Sequence, residues 1–124
     1  MQPAKKRLPF QFVLDELLAI RPDVRQVFGF THVYLDQMLL LSLRDNPNQP
    51  RFNGVWIYTQ SEYFDSLQRY FPALPKRCFW RSKKTGNGWI ILPAGQEDFE
   101  EYALKACELI LQADKRIGRL SRRR

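Results

Sequence analysis

The run from Val24 to Asp45, "VRQVFGFTHVYLDQMLLLSLRD", limits the fold more than any other part of the chain, because it carries a β pattern and no helical period. Asp36-Gln37 is the expected reversal between "HVYL" and "MLLLSL". In the second arm Met38, Leu40 and Ser42 point one way and Leu39, Leu41 and Leu43 the other, so the strand is apolar on both faces. Such a strand belongs in the middle of a sheet with each side covered, or against a second copy of the chain.

Helical periods lie on either side of this run. "PFQFVLDELLAI" collects Phe10, Val13, Leu14, Leu17 and Leu18 on one face, and Pro9 and Pro22 bound a helix over about 9–20. After a strand at "GVWIYT", Thr59 and Glu62 have capping-box spacing. The stripe of Tyr63, Phe64, Leu67, Tyr70 and Phe71 follows, closed by Pro72 and Pro75. "KRCFWRSKKTGNGWIILP" reads as a hairpin turning at Asn87-Gly88 or at Thr85-Gly86. Beyond Pro93, Phe99, Tyr102, Ala103, Ala106, Cys107, Ile110 and Leu111 make the strongest helical stripe, with Glu97, Asp98, Glu100 and Glu101 at its positive end.

The expected fold class is therefore α+β: a small single domain with an antiparallel sheet of about five strands, N-terminal and C-terminal helices and one internal helix. A chain of 124 residues supports one core of this size. Its boundaries read as a flexible basic N-terminus at 1–8, a domain at 9–113 and a basic tail at 114–124, with "RDNPNQPRFNG" as an exposed loop. No apolar stretch is long enough to cross a bilayer and no signal-like segment opens the chain, so a soluble, cytoplasmic protein without a membrane partner is expected.

The formal charge of +7 resides in the ends. Residues 1–8 carry +3 and residues 115–124 carry +6, whereas the remainder sums to −2. A basic isoelectric point here is a property of two arms on a nearly neutral body.

Little in the sequence points to catalysis. His32 is the only histidine, which excludes any centre built from two imidazoles. The carboxylates of Asp15-Glu16 and "EDFEE" suit solvated helical faces, and neither a metal nor a cofactor is expected. "TGNG" is too short for a phosphate-cradling loop. Cys107 falls within an apolar stripe, while Cys78, among the bases of residues 76–84, is the one candidate for a small cysteine enzyme.

The positive candidate is the hairpin. Lys76, Arg77, Arg81, Lys83 and Lys84 are interleaved with Phe79 and Trp80, and Trp89 follows past the turn. Bases of this kind meet phosphates while exposed rings stack on nucleobases. Strand alternation places Arg77, Phe79 and Arg81 on one face and Cys78 and Trp80 on the other, so at least one ring is expected in the core. Arg122, Arg123 and Arg124 of the tail extend the same electrostatic character, and Ile117 and Leu120 offer points at which the tail could dock.

Phe28-Gly29, then Val33-Tyr34-Leu35-Asp36 with Met38 following, resembles the start of the TfoX N-terminal domain family, related to the MmcQ/YjbR-like proteins. Gly88-Trp89-Ile90 and the last helix resemble the closing strand and helix of that superfamily, so the similarity in order runs over about residues 10–113. Phe30-Thr31 in place of small residues, Gln37 in place of the turn glycine, a strand ending at Thr59 rather than near a lysine, and the long Asn/Pro loop mark a divergent member. The resemblance implies a compact α+β domain, associated in some relatives with regulation or DNA contact, and transfers no catalytic residue. The expected function is a non-enzymatic binding or regulatory module that contacts nucleic acid. A protein-interaction or homodimer-forming domain is the alternative.

Overall fold

The computed structural model describes residues 10–120. The expected N-terminal arm at 1–8 and the tail bases Arg122, Arg123 and Arg124 lie outside the described residues. No helix among the described residues is long and apolar enough to cross a membrane.

The chain begins with α1 (Gln11–Glu16), which gives way at Leu17 to a 3-10 turn, Leu18–Ile20, rather than continuing as one helix to residue 20. Arg21 takes a left-handed conformation (φ 51°) and Pro22 then prevents any return to the helix. Three strands follow: β1 (Asp23–Val27), β2 (Phe30–Leu35) and β3 (Met38–Arg44). Asp36 and Gln37 both have positive φ, 51° and 69°, the conformation that a two-residue hairpin needs to match strand twist. Phe28 and Gly29 make the preceding reversal in the same way.

The remaining elements are β4 (Gly54–Gln60), α2 (Phe64–Tyr70), β5 (Phe79–Arg81), β6 (Asn87–Pro93), α3 (Phe99–Leu111) and β7 (Arg119–Leu120). All pairings are antiparallel, in the order β1-β2-β3-β4-β6-β5, with β7 beside the start of β3. The domain is α+β as expected. Among the described residues the sheet has seven strands rather than about five, however, and α3 is not the C-terminal element, because the chain runs on into β7.

Hairpin register sorts the side chains into two faces. Val33, Leu41, Leu43, Val55, Ile57, Ile90 and Leu92 point inward and pack with Val13, Leu17, Leu67, Phe71, Tyr102, Ala106 and Ile110 from the helices. The buried outer-face residues Ser42, Tyr58 and Ile91 stand outside that cluster. β3 is thus central, with β2 on one side and β4 and β7 on the other, and its apolar residues are accounted for within the domain.

Two local expectations are corrected. Thr59 caps no helix: β4 continues to Gln60, a 3-10 turn (Ser61–Tyr63) precedes α2, and the Thr59 hydroxyl donates to the Arg116 carbonyl. Of the two hairpin turns expected, Asn87-Gly88 is not used, because both residues already lie in β6; the chain reverses over 82–86, which includes the alternative Thr85-Gly86, with Gly86 at φ 76°. Gly88 is needed because the Phe64 ring sits where a Cβ would stand, 2.6 Å away.

Part of the basic tail is body. Asp114 holds Arg116 through a pair at 2.7 Å, Ile117 is buried, and Gly118 N–H donates to the Tyr58 carbonyl at 2.6 Å. Residues 114–120 therefore close the sheet where β4 diverges from β3.

Candidate functional site

The outward face of the sheet carries the chemistry. β2 contributes Phe30, His32 and Tyr34, β4 contributes Trp56 and Tyr58, β6 contributes Trp89 and Ile91, and β5 contributes Trp80. Each is brought to this side by strand alternation and by the register that sets His32 opposite Ser42, Ser42 opposite Trp56, and Trp56 opposite Ile91. The rings form an extended series. Phe30 stacks on His32 (5.5 Å, 9°) and meets Trp56 edge-on at 5.0 Å, while Trp80 and Trp89 lie stacked at 6.3 Å. Trp80 remains 43% exposed.

The polar groups on this face are tied together. Ser42 Oγ donates to the Tyr58 hydroxyl at 3.0 Å and shares a hydrogen bond with His32 Nδ1 at 2.5 Å. Burial, followed by the nearby Arg119 guanidinium, holds the His32 pKa below its usual value, which favours the neutral ring. Arg119 lies over the Tyr58 ring at 4.8 Å. Burial also raises the Tyr58 hydroxyl, against the Ser42 hydrogen bond.

Beside the rings, the Asn/Pro loop folds onto Arg44. Arg44 is only 7% exposed; its Nη1 donates to the Gln49 carbonyl (2.9 Å) and Asn53 Oδ1 (3.1 Å), and its Nη2 donates to Gln49 Oε1 (2.8 Å). Asn53 in turn binds the loop backbone at Asn46, and Trp56 Nε1 donates to the Phe52 carbonyl at 2.9 Å. This local order turns a stretch of turn formers into one wall of a cleft of about 370 Å³, lined by Phe30, Arg44, Phe52, Trp56, Trp80 and Trp89 among others. An adjoining cleft of about 450 Å³ shares Phe52 and Trp80 and is bordered by Arg51 and Arg77.

The hairpin bases fall into two groups. Lys76 and Arg77 are exposed on a 3-10 turn, Lys76–Cys78, so Arg77 escapes strand alternation and borders the same cleft as Trp80. Arg81 is exposed on the parity of Phe79, away from Trp80, and Lys83 and Lys84 are exposed in the reversal. None of the five makes an ion pair among the described residues, where the pairs are Arg25 with Asp23 and Arg116 with Asp114. Cys78 and Trp80 both border the cleft that Arg77 flanks, but Cys78, at the end of the turn, is buried whereas Trp80 is open. Of the hairpin rings, Phe79 is the one that packs on the core.

The cysteines are both free and buried. Burial pushes the Cys78 thiol up, against a smaller lowering by Arg77, and pushes Cys107 up to about 12. No group of three His, Cys, Asp or Glu side chains able to hold a metal occurs among the described residues.

The residues that sequence reasoning missed are Phe30, Phe52, Trp56 and Arg44. The signal for Phe30 and Trp56 was present in the even-numbered alternation of Phe30, His32 and Tyr34 and of Trp56 and Tyr58, which marks one sheet face once the register is known; Phe52 and Arg44 carried none. Comparison with protein-family models, with curated proteins and with solved structures finds no match to this chain.

Proposed function

We propose that the protein is a non-enzymatic module that binds single-stranded nucleic acid across the outward face of its sheet. The observation carrying this reading is the Trp80–Trp89 pair, stacked on an outward face with Arg77 at its margin and no ion pair to the hairpin bases among the described residues. Every base has a π-face, so rings on a sheet bind a single strand by stacking while cations follow its phosphates. A duplex is the poorer partner, because rings spread over a flat sheet do not reach stacked bases. In this reading Lys76, Arg77, Arg81, Lys83 and Lys84 supply charge, Trp80 supplies a stacking ring, and Arg122, Arg123 and Arg124 add to the electrostatic attraction. The resemblance to the TfoX N-terminal domain family is in keeping with it, and a regulatory role belongs to the same proposal.

The test is fluorescence anisotropy with labelled single-stranded and duplex DNA at about 150 mM salt. Tighter binding of the single strand, weakening as salt rises, is expected. Equal or absent binding of both at about 100 µM protein overturns the reading. A salt-insensitive dimer, indifferent to DNA in light scattering, would favour self-association instead.

A further inference from the structure

Resting on the single-strand reading of the sheet, one of the two aromatic clefts has the chemistry to choose a base. We infer that the cleft between Phe30, Phe52, Trp56 and the Trp80–Trp89 pair takes one unstacked guanine of the bound strand, read at O6 and N7 by Arg44.

Arg44 is a buried guanidinium held by neutral acceptors, with no carboxylate at ion-pair distance among the described residues. Its charge is oriented without being neutralised. The guanidinium has five N–H groups; two on Nη1 and one on Nη2 are used, leaving Nε–H and one Nη2–H. Those two groups suit a pair of neighbouring acceptors taken together. Arg44 lies over both the Phe30 ring (5.8 Å) and the Phe52 ring (5.9 Å), which keeps its guanidinium at the lining of the cleft.

The rest of the lining decides what carries the acceptors. A phosphate would bring oxygens that Phe30, Phe52, Trp56 and Ile91 cannot solvate. A nucleobase instead presents apolar flat faces to the rings and hydrogen-bonding groups only at its edge. At about 370 Å³ the cleft is at the small end of the usual range of ligand pockets, about 300–1,000 Å³, which suits a single base. Guanine presents two adjacent acceptors, O6 and N7, on one edge; adenine pairs N7 with a donor, thymine has a donor between its two carbonyls, and cytosine, whose N3 and O2 are also adjacent, is a single ring that covers less of the aromatic lining.

Because Arg44 also braces the loop, the decisive experiment alters the ligand and leaves the protein intact. Tryptophan fluorescence is titrated with oligothymidine strands of about nine nucleotides whose central base is thymine, adenine, cytosine, guanine, hypoxanthine or 7-deazaguanine. Guanine and hypoxanthine, which share O6 and N7, are expected to bind about tenfold more tightly than thymine, adenine and cytosine. 7-Deazaguanine is expected to lose most of that gain. Equal binding of all strands overturns the guanine pocket and leaves the single-strand reading standing, whereas absence of binding by every strand overturns both. A guanine preference that survives loss of N7 overturns the role of Arg44.

Discussion

Trp80 and Trp89 face each other across the β5–β6 register with ring planes 7° from parallel. An edge strand of three residues holds Trp80, so the pair contributes little to folding, about 0.2–1 kcal/mol for a cross-strand aromatic contact. Replacing Trp80 by Ala should weaken single-strand binding by about 1–3 kcal/mol and shift the urea midpoint only slightly. Circular dichroism provides an independent check, since coupled indoles give a paired signal that the substitution abolishes. Unchanged affinity in a folded variant would remove Trp80 from the binding surface.

Lys83 and Lys84 stand exposed in the reversal, so their contribution is readable from salt dependence. For single strands each neutralised phosphate adds about −0.7 to the slope of log K against log salt. The double substitution K83A/K84A should make the slope shallower by about 1.4 if both lysines contact phosphates, with melting unaltered. Anisotropy titrations at several salt concentrations measure it, and an identical slope places the strand elsewhere.

The segment after α3 has a graded structural importance. Ile117 is 5% exposed and joins the core cluster, so Ile117→Ala should cost about 2–5 kcal/mol by urea denaturation. Truncation after Gly118 removes residues 119–124, of which the described ones form only the two-residue strand β7, and should preserve cooperative melting. A broad, non-cooperative transition in the truncated chain would show that β7 closes the fold rather than trimming it.

His32 links stability to pH. Its pKa is lowered in the folded state, by burial first and Arg119 second, so the unfolded chain binds the proton more readily. The resulting stability is fully present above the unfolded value of about 6.5 and is lost as pH falls through that value toward the lower folded one. His32→Gln should therefore show a smaller stability loss than the wild type between about pH 7.5 and pH 5, measured by urea midpoints. Parallel losses in the two proteins would contradict this.

Both thiols should resist alkylation at pH 7, because burial removes access and raises their pKa. Iodoacetamide labelling followed by mass spectrometry is expected to be slower than for a free model thiol and to accelerate on unfolding. Rapid labelling of Cys78 in the folded protein would revive a reactive-cysteine role.

What could be read from the sequence was whatever depended on neighbours in the chain. The reversal at Asp36-Gln37 and the helical stripe beginning at Phe99 are local patterns, and the structure has both, except that Leu111 of the stripe is exposed and Leu109 is buried instead. The Thr59 cap failed because its hydroxyl finds the Arg116 carbonyl, 57 residues away, and tertiary contact outcompetes a local motif. Of the two hairpin turns the sequence offered, Asn87-Gly88 is not used, since Gly88 answers to the Phe64 ring, and the reversal takes in Thr85-Gly86. The candidate site was only partly legible. Trp80 and the bases around it stood out by composition, but Phe30, Trp56 and Arg44 come from three strands whose order no local pattern gives, and Arg44 read as loop charge before its cage of Gln49 and Asn53 was seen.

Helices occupy one side of the sheet, so successive residues of its central strands serve different masters. Val55 and Ile57 pack in the interior, whereas Trp56 is half-buried on the outward face and Tyr58 is buried there beside Ser42 and Arg119. Specificity in such a domain can be rewritten at every second position while the intervening ones keep the architecture, so descendants of one scaffold can diverge in what they hold without diverging in shape.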